Sequence, residues 1–209
     1  MSAQPDASQF ELSAQQRCER LERRLERERQ IRLKSEAIAE RGLREAYLAT
    51  QRFELLCRIA DAANCSTDPM ESLQFAIAEI LRTYDWDFAH VLLVDRRDED
   101  VRLIGTELWH APQPDKMFAF AELSNRFVAW PCSSIPGKLL IDKAAVWTAD
   151  LTANYGCRRS EEAARCNLRS SYSVPILQGQ ELVAAMEFFA RSEVKPDPQL
   201  LETLTQIGT

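Results

Sequence analysis

The stretch whose reading decides the fold runs from residue 133 to residue 191. It opens SSIPGKLLIDKAAVWTADL (133–151) and closes NLRSSYSVPILQGQELVAAMEFFAR (167–191). The closing part holds two strand-like runs, 170–177 and 182–190, separated by Gln178, Gly179, Gln180 and Glu181. A glycine in so short a connection marks a tight turn, so the two runs predict a β-hairpin. Upstream, Pro136-Gly137 punctuates the chain and 138–142 reads as a short helical piece. Val146-Trp147-Thr148 is β-prone and leads to Asp150, a good turn or cap residue.

Working outward, residues 12–63 read as one long helix or two nearly continuous ones. Arg, Glu, Leu and Ala dominate, no proline interrupts, and Gly42 is the one weak point. Glu19/Arg23, Glu28/Arg32 and Glu40/Arg44 stand at i,i+4 with Glu first, the better orientation. One heptad register puts Leu21, Leu25, Phe53 and Leu56 on an a/d seam that is poor in its middle, at Glu28, Arg32, Ser35 and Gly42. A second register through Ile31 and Ile38 competes with it. Pairing of modest stability is expected. Asp68-Pro69 then starts a helix with Asp as N-cap, burying Leu73, Ile77, Ile80 and Leu81. Residues 88–94 and 101–109 form a second strand pair, 117–127 a short helix, 127–130 a short strand and 160–167 another helix. Asp197-Pro198 caps a last helix with Leu200, Leu201, Leu204 and Ile207 on one stripe. This order gives an α+β domain, an antiparallel sheet with helices on both sides.

Here the residues resemble a family. Ile135-Pro136-Gly137-Lys138, Asp150, Leu168-Arg169-Ser170, Val174-Pro175-Ile176 and Glu187-Phe188-Phe189 match in order and spacing the pattern of a GAF domain. Ser134 and Ala184 stand where that pattern often has glycine. The resemblance covers about residues 52–208, and the helix before it is similar to the coiled linkers of bacterial signalling proteins. Residues 1–11 are expected to be disordered, and the resemblance implies a signalling coiled-coil helix (12–51) and a sensor domain (52–209) that continues into an output domain. The implied function is a non-catalytic sensory and dimerisation module, feeding a histidine kinase or a diguanylate cyclase. The alternatives are a ligand-free strut, a thiol redox sensor, or an enzyme like the free methionine sulfoxide reductases. The resemblance places the ligand cleft among Trp109, Phe127, Trp130, Ser134, Leu139, Trp147, Asp150, Tyr155, Arg158, Tyr172 and Val174. It places the dimer interface at Leu21, Leu25, Phe53, Leu56 and Leu204.

Composition narrows the partners. The chain carries −6, yet residues 17–45 hold ten Arg/Lys against seven Asp/Glu, leaving −9 on the remainder. An acidic body is a poor nucleic-acid ligand, and Glu interrupts every basic cluster of the helix. No apolar run approaches the roughly 18 residues of a membrane span, and no basic-then-apolar leader opens the chain, so a cytoplasmic protein is expected. Cofactor chemistry has little to rest on. His90 and His110 are the only histidines, either of them an axial haem ligand at most, and no Cys/His pair has zinc spacing. A bilin-type Cys-His dipeptide and a cyclic-nucleotide signature are both missing, so no cofactor is assigned. The six cysteines include no CxxC pair. Cys157, beside Arg158 and Arg159, is the one whose neighbours favour a thiolate. Thiol titration of the denatured, unreduced protein is expected to find all six free. A stable disulfide would point instead to an oxidising compartment or a redox enzyme.

Overall fold

The computed structural model describes residues 7–97, 100–131, 133–151, 158–193 and 198–207. The chain forms two compact units, Met1–Gln51 and Arg52–Thr209. The described part of the first unit is all helix. It belongs to α1 (Ala7–Cys65), which begins earlier than the sequence places it and whose last turns lie in the second unit. Glu19 pairs with Arg23 as expected, at 3.2 Å. Glu28 turns instead to Arg24 (3.1 Å), and Arg32 to Glu36 (3.7 Å). Such exposed pairs contribute about 0.3–0.5 kcal/mol each, too little to hold a helix without a partner surface. Among the described residues no helix is long and apolar enough to cross a membrane.

The second unit is built on one six-stranded sheet. Its strands are β1 (Phe88–Asp95), β2 (Arg102–His110), β3 (Val128–Ala129), β4 (Val146–Thr148), β5 (Ser170–Gln178) and β6 (Glu181–Ala190). The spatial order is β3-β2-β1-β6-β5-β4, antiparallel throughout. The expected hairpin is β5–β6. Its strands pair as far as Gln178 and Glu181, so the loop is only Gly179-Gln180. Gly179 has φ +64°, a conformation that costs glycine nothing and other residues much.

Side chains alternate along these central strands, and both faces are covered. On one face Tyr172, Val174, Met186, Phe188, Ala89 and Val91 pack against three helices. These are the end of α1 through Leu55 and Ile59, α2 (Pro69–Thr83) through Ile77 and Ile80, and α6 (Pro198–Ile207) through Leu200 and Leu204. The α2 start is as the sequence reads: Pro69 follows the N-cap Asp68, whose carboxylate accepts from the Met70 amide at 2.9 Å. The other face carries Phe88, Phe189, Leu92 and Ala185. It is covered by α3 (Pro114–Asn125), by a 3-10 turn (Pro136–Lys138) running into α4 (Leu139–Asp142), and by α5 (Arg158–Arg165). Pro114 opens α3, three residues before the expected start, because a proline in the first helical turn forfeits no hydrogen bond.

One expectation fails here. Leu204 was assigned to the dimer interface but is fully buried in the first core, because the apolar stripe of α6 faces the sheet of its own domain. In α1, Leu55 and Ile59 take the buried positions, leaving Phe53 67% exposed and Leu56 half-buried.

Gly137, in the 3-10 turn, is held by close approach. A Cβ there would lie 2.1 Å from the backbone oxygen of Trp130. Gly137→Ala is therefore expected to cost about 1–3 kcal/mol by overpacking. Gly42→Ala, with open space around it in α1, is expected to raise helicity and stabilise by about 0.5–1 kcal/mol. Urea melts followed by circular dichroism check both.

Candidate functional site

Between the second face of the sheet and its covering helices lies a cavity of about 640 Å³. Phe120, Phe127, Trp130, Ile135, Leu151 and Phe189 give it apolar walls. Its polar floor is set by one residue of β6. The register aligns Ser173, Glu187, His90 and Trp109 in a row across β5, β6, β1 and β2. Glu187 is only 2% exposed. A carboxylate so placed needs a partner, because an unpaired buried charge is far costlier than a paired one.

The partner is Arg159, from the second residue of α5. Its Nη1 donates to Glu187 Oε1 at 3.2 Å, its Nη2 to Oε2 at 2.5 Å, and its Nε to Ser124 Oγ of α3 at 3.0 Å. The guanidinium sits 4.5 Å from the ring centre of Phe127, 5.2 Å from Phe189 and 5.3 Å from Phe120. A planar, weakly hydrated guanidinium tolerates such a site better than an ammonium would. One residue thus ties α5, α3 and β6 together. Burial alone pushes the Glu187 carboxyl up, but Arg159, helped by His90, outweighs it, and the net shift is downward. His90 donates from Nε2 to the Thr106 carbonyl at 2.9 Å. Its Nδ1 lies 3.8 Å from Glu187 Oε2 with no hydrogen-bond partner. The Ser173 hydroxyl is likewise buried without one.

The cavity collects only part of the set predicted from sequence. Phe127, Trp130 and Ser134 line it. Tyr172 and Val174 do not: they point to the opposite face, where Tyr172 meets Trp86 edge to face at 5.4 Å. Trp147 packs on that same opposite core. Leu139 is fully buried among Leu92 and Leu103. Trp109 stacks 5.9 Å from Phe88, outside the lining. Asp150 borders a separate depression of about 420 Å³ with Asn167 and Arg169. Arg158 is exposed and outside the lining, while its neighbour Arg159 turns inward. Tyr155 lies outside the described residues, as do Cys132 and Cys157. Sequence reading missed Phe120, Lys138, Arg159, Ser171, Glu187 and Phe189. The available signal was Glu187 itself, the one acid in the otherwise apolar run from Leu182 to Ala190.

The described cysteines Cys18, Cys57, Cys65 and Cys166 are free thiols. Burial, then the Glu162 carboxylate, push the Cys166 thiol up, away from the reactive thiolate.

Glu187→Gln is expected to destabilise by about 3–5 kcal/mol, since it strands a buried guanidinium. The pH dependence has a definite sign. Glu187 is depressed in the folded state, so its contribution is complete above the unfolded carboxylate value of about 4.3. It is lost as pH falls from there through the folded value. Denaturant melts of wild type and Glu187→Gln should therefore converge between pH 7 and acid pH. Curves that stay parallel would count against the pair.

The family model described as "GAF domain" matches residues 66–209. Among solved structures, one described as the structure of the GAF domain superposes with TM-score 0.60 at 13% identity, over 77% of this chain and 84% of that one. The free methionine-R-sulfoxide reductase of Neisseria meningitidis, in complex with its substrate, gives 0.58 at 16%, over 75% and 83%. The GAF domain of an Acinetobacter phosphoenolpyruvate-protein phosphotransferase gives 0.54 at 13%, over 75% and 91%. At such identities the likeness is one of fold alone. No curated protein matches the chain.

Proposed function

The chain belongs to the GAF domain family, and from that premise we propose that it is a non-catalytic sensory and dimerisation module of a cytoplasmic signal-transduction protein. It couples the cleft to a C-terminal output domain of the histidine kinase or diguanylate cyclase type. The observation that carries this reading is the cleft itself. It has apolar walls, a few convergent polar groups and a volume of about 640 Å³, within the roughly 300–1,000 Å³ of small-molecule pockets. That also favours a sensor over a ligand-free strut.

Coupling has a physical route. The floor of the cleft is the Arg159–Glu187 pair, so a ligand that presses on it acts on α5, α3 and β6 together. The opposite face of the same sheet carries both the end of α1 and α6. Those two helices are also linked directly, Arg52 Nη2 donating to Gln199 Oε1. A small shift of the central strands reaches both helices, and packed helices convert such shifts into rotation or sliding.

Dimerisation draws on α1. Leu21, Leu25 and Phe53 are each 60% or more exposed in the single chain. Apolar side chains repeated along a long helix favour a second helix as their cover. A thiol enzyme on the same fold is the competing reading, supported by the likeness to the Neisseria reductase fold.

Light scattering at tens of micromolar is expected to give a dimer mass, and Phe53→Glu to weaken it. A metabolite screen by thermal shift is expected to find a stabilising compound, worth about 2.7 kcal/mol at a hundredfold excess over Kd. A monomer mass together with turnover of free methionine sulfoxide would overturn the reading in favour of the enzyme.

A further inference from the structure

The proposed sensory reading leaves the ligand's chemistry open, and the charges of the cleft narrow it. Glu187 is the only acid among the described lining residues, and it is already neutralised by Arg159. Lys138 also lines the cavity, and it makes no ion pair among the described residues. The uncompensated formal charge of the described lining is therefore about one positive unit.

Two further features point the same way. Arg159 and Ser160 place the first turn of α5 on the cavity wall. A helix N-terminus offers free amide donors and about half a positive charge. Ser171 of β5 stands on the same lining, only 1% exposed. Its hydroxyl bonds no described residue. A hydroxyl in so enclosed a place is expected to have a partner, and the cavity is the space that can hold one. The other wall groups are mostly flat or aliphatic, Phe127, Trp130, Ile135 and Leu151 among them, and the Ser133 and Ser134 hydroxyls beside them are engaged with the backbone of Trp130 and Gly137.

From these we infer that the cleft takes an organic monoanion: a flat apolar body carrying one carboxylate, the carboxylate held by Lys138, Ser171 and the first turn of α5. The inference rests on the sensory reading of the same cleft. A carboxylate matches the single uncompensated charge. A phosphate monoester, close to dianionic at neutral pH, would leave an excess negative charge beside Glu187. The apolar body selects against inorganic anions, because it contributes the burial.

The test uses the whole 209-residue chain, with calorimetry or Trp fluorescence at pH 7 and low salt. The probes are benzoate, phenylacetate and indole-3-acetate, each beside its neutral primary amide, with phenyl phosphate as a further arm. At least one acid is expected to bind about tenfold tighter than its amide, as a charge-assisted contact allows. Lys138→Gln, at an exposed side chain that folding does not need, is expected to erase most of that ratio while amide binding persists. Ser171→Ala is expected to weaken the acid more than the amide. Acid and amide binding equally, or a ratio unchanged in Lys138→Gln, would overturn the carboxylate assignment and leave the sensory reading standing. Phenyl phosphate binding tighter than every carboxylate would overturn the monoanion assignment alone. A chain that binds neither acids nor amides would overturn the open cleft, and both proposals with it.

Discussion

A strand buried on both faces has no solvent side on which to place a charge. That constraint governs β6, where Glu187 is the one acid in a run otherwise apolar from Leu182 to Ala190. Its carboxylate must be met inside the protein, and Arg159 meets it with two parallel hydrogen bonds. Much of the architecture on that face follows. Satisfying Arg159 fixes the rotation of α5, brings Ser124 of α3 within reach, and gathers Phe120, Phe127 and Phe189 around the guanidinium. A well-packed apolar substitute is often as stable as a buried ion pair or more so. What the pair contributes is therefore definition: it sets where three elements stop relative to one another, and so the shape of the cleft floor.

The strands, the α2 cap and the hairpin were legible in the sequence because each has a local signal. Asp68-Pro69 can cap only one way round, and Gly179 allows only a tight turn. Which face of the sheet bears the cleft was not legible. The alternation along β5 runs Ser171, Tyr172, Ser173, Val174, and sequence reading sent the aromatic residue to the ligand. In the fold Tyr172 and Val174 take the helix-packed core while Ser171 joins the cavity. An aromatic side chain fits a core and a cleft equally well, so residue type cannot choose between faces. A one-residue difference in register inverts every such assignment.

The same one-residue sensitivity separated Arg158 from Arg159. Both are arginines at the start of α5, and only the helical phase, shown by Ala163 buried one turn after Arg159, decides which turns inward. Trp147 and Leu204 illustrate the converse error. Each has the chemistry of an interface residue, and each is consumed by the core of its own domain. Large apolar residues are needed for folding before they are available for recognition.

If the cleft is a sensor, the sheet is its lever. A ligand shifts an equilibrium only by the difference in its affinity for two states, so some contact must differ between them. The Arg159 environment offers one. Its guanidinium is shared among Glu187 and Phe189 of β6, Ser124 and Phe120 of α3, and Phe127 just after α3. A ligand anion seated at Lys138, Ser171 and the first turn of α5 presses on the helix that carries Arg159, and so on its hold on Glu187. The strain then falls on β6 and β1, whose far face is the seat of α6 and the end of α1. Because a close-packed core resists gradual deformation, the helices on that face respond by sliding as bodies. That is the kind of motion a paired helix can carry onward.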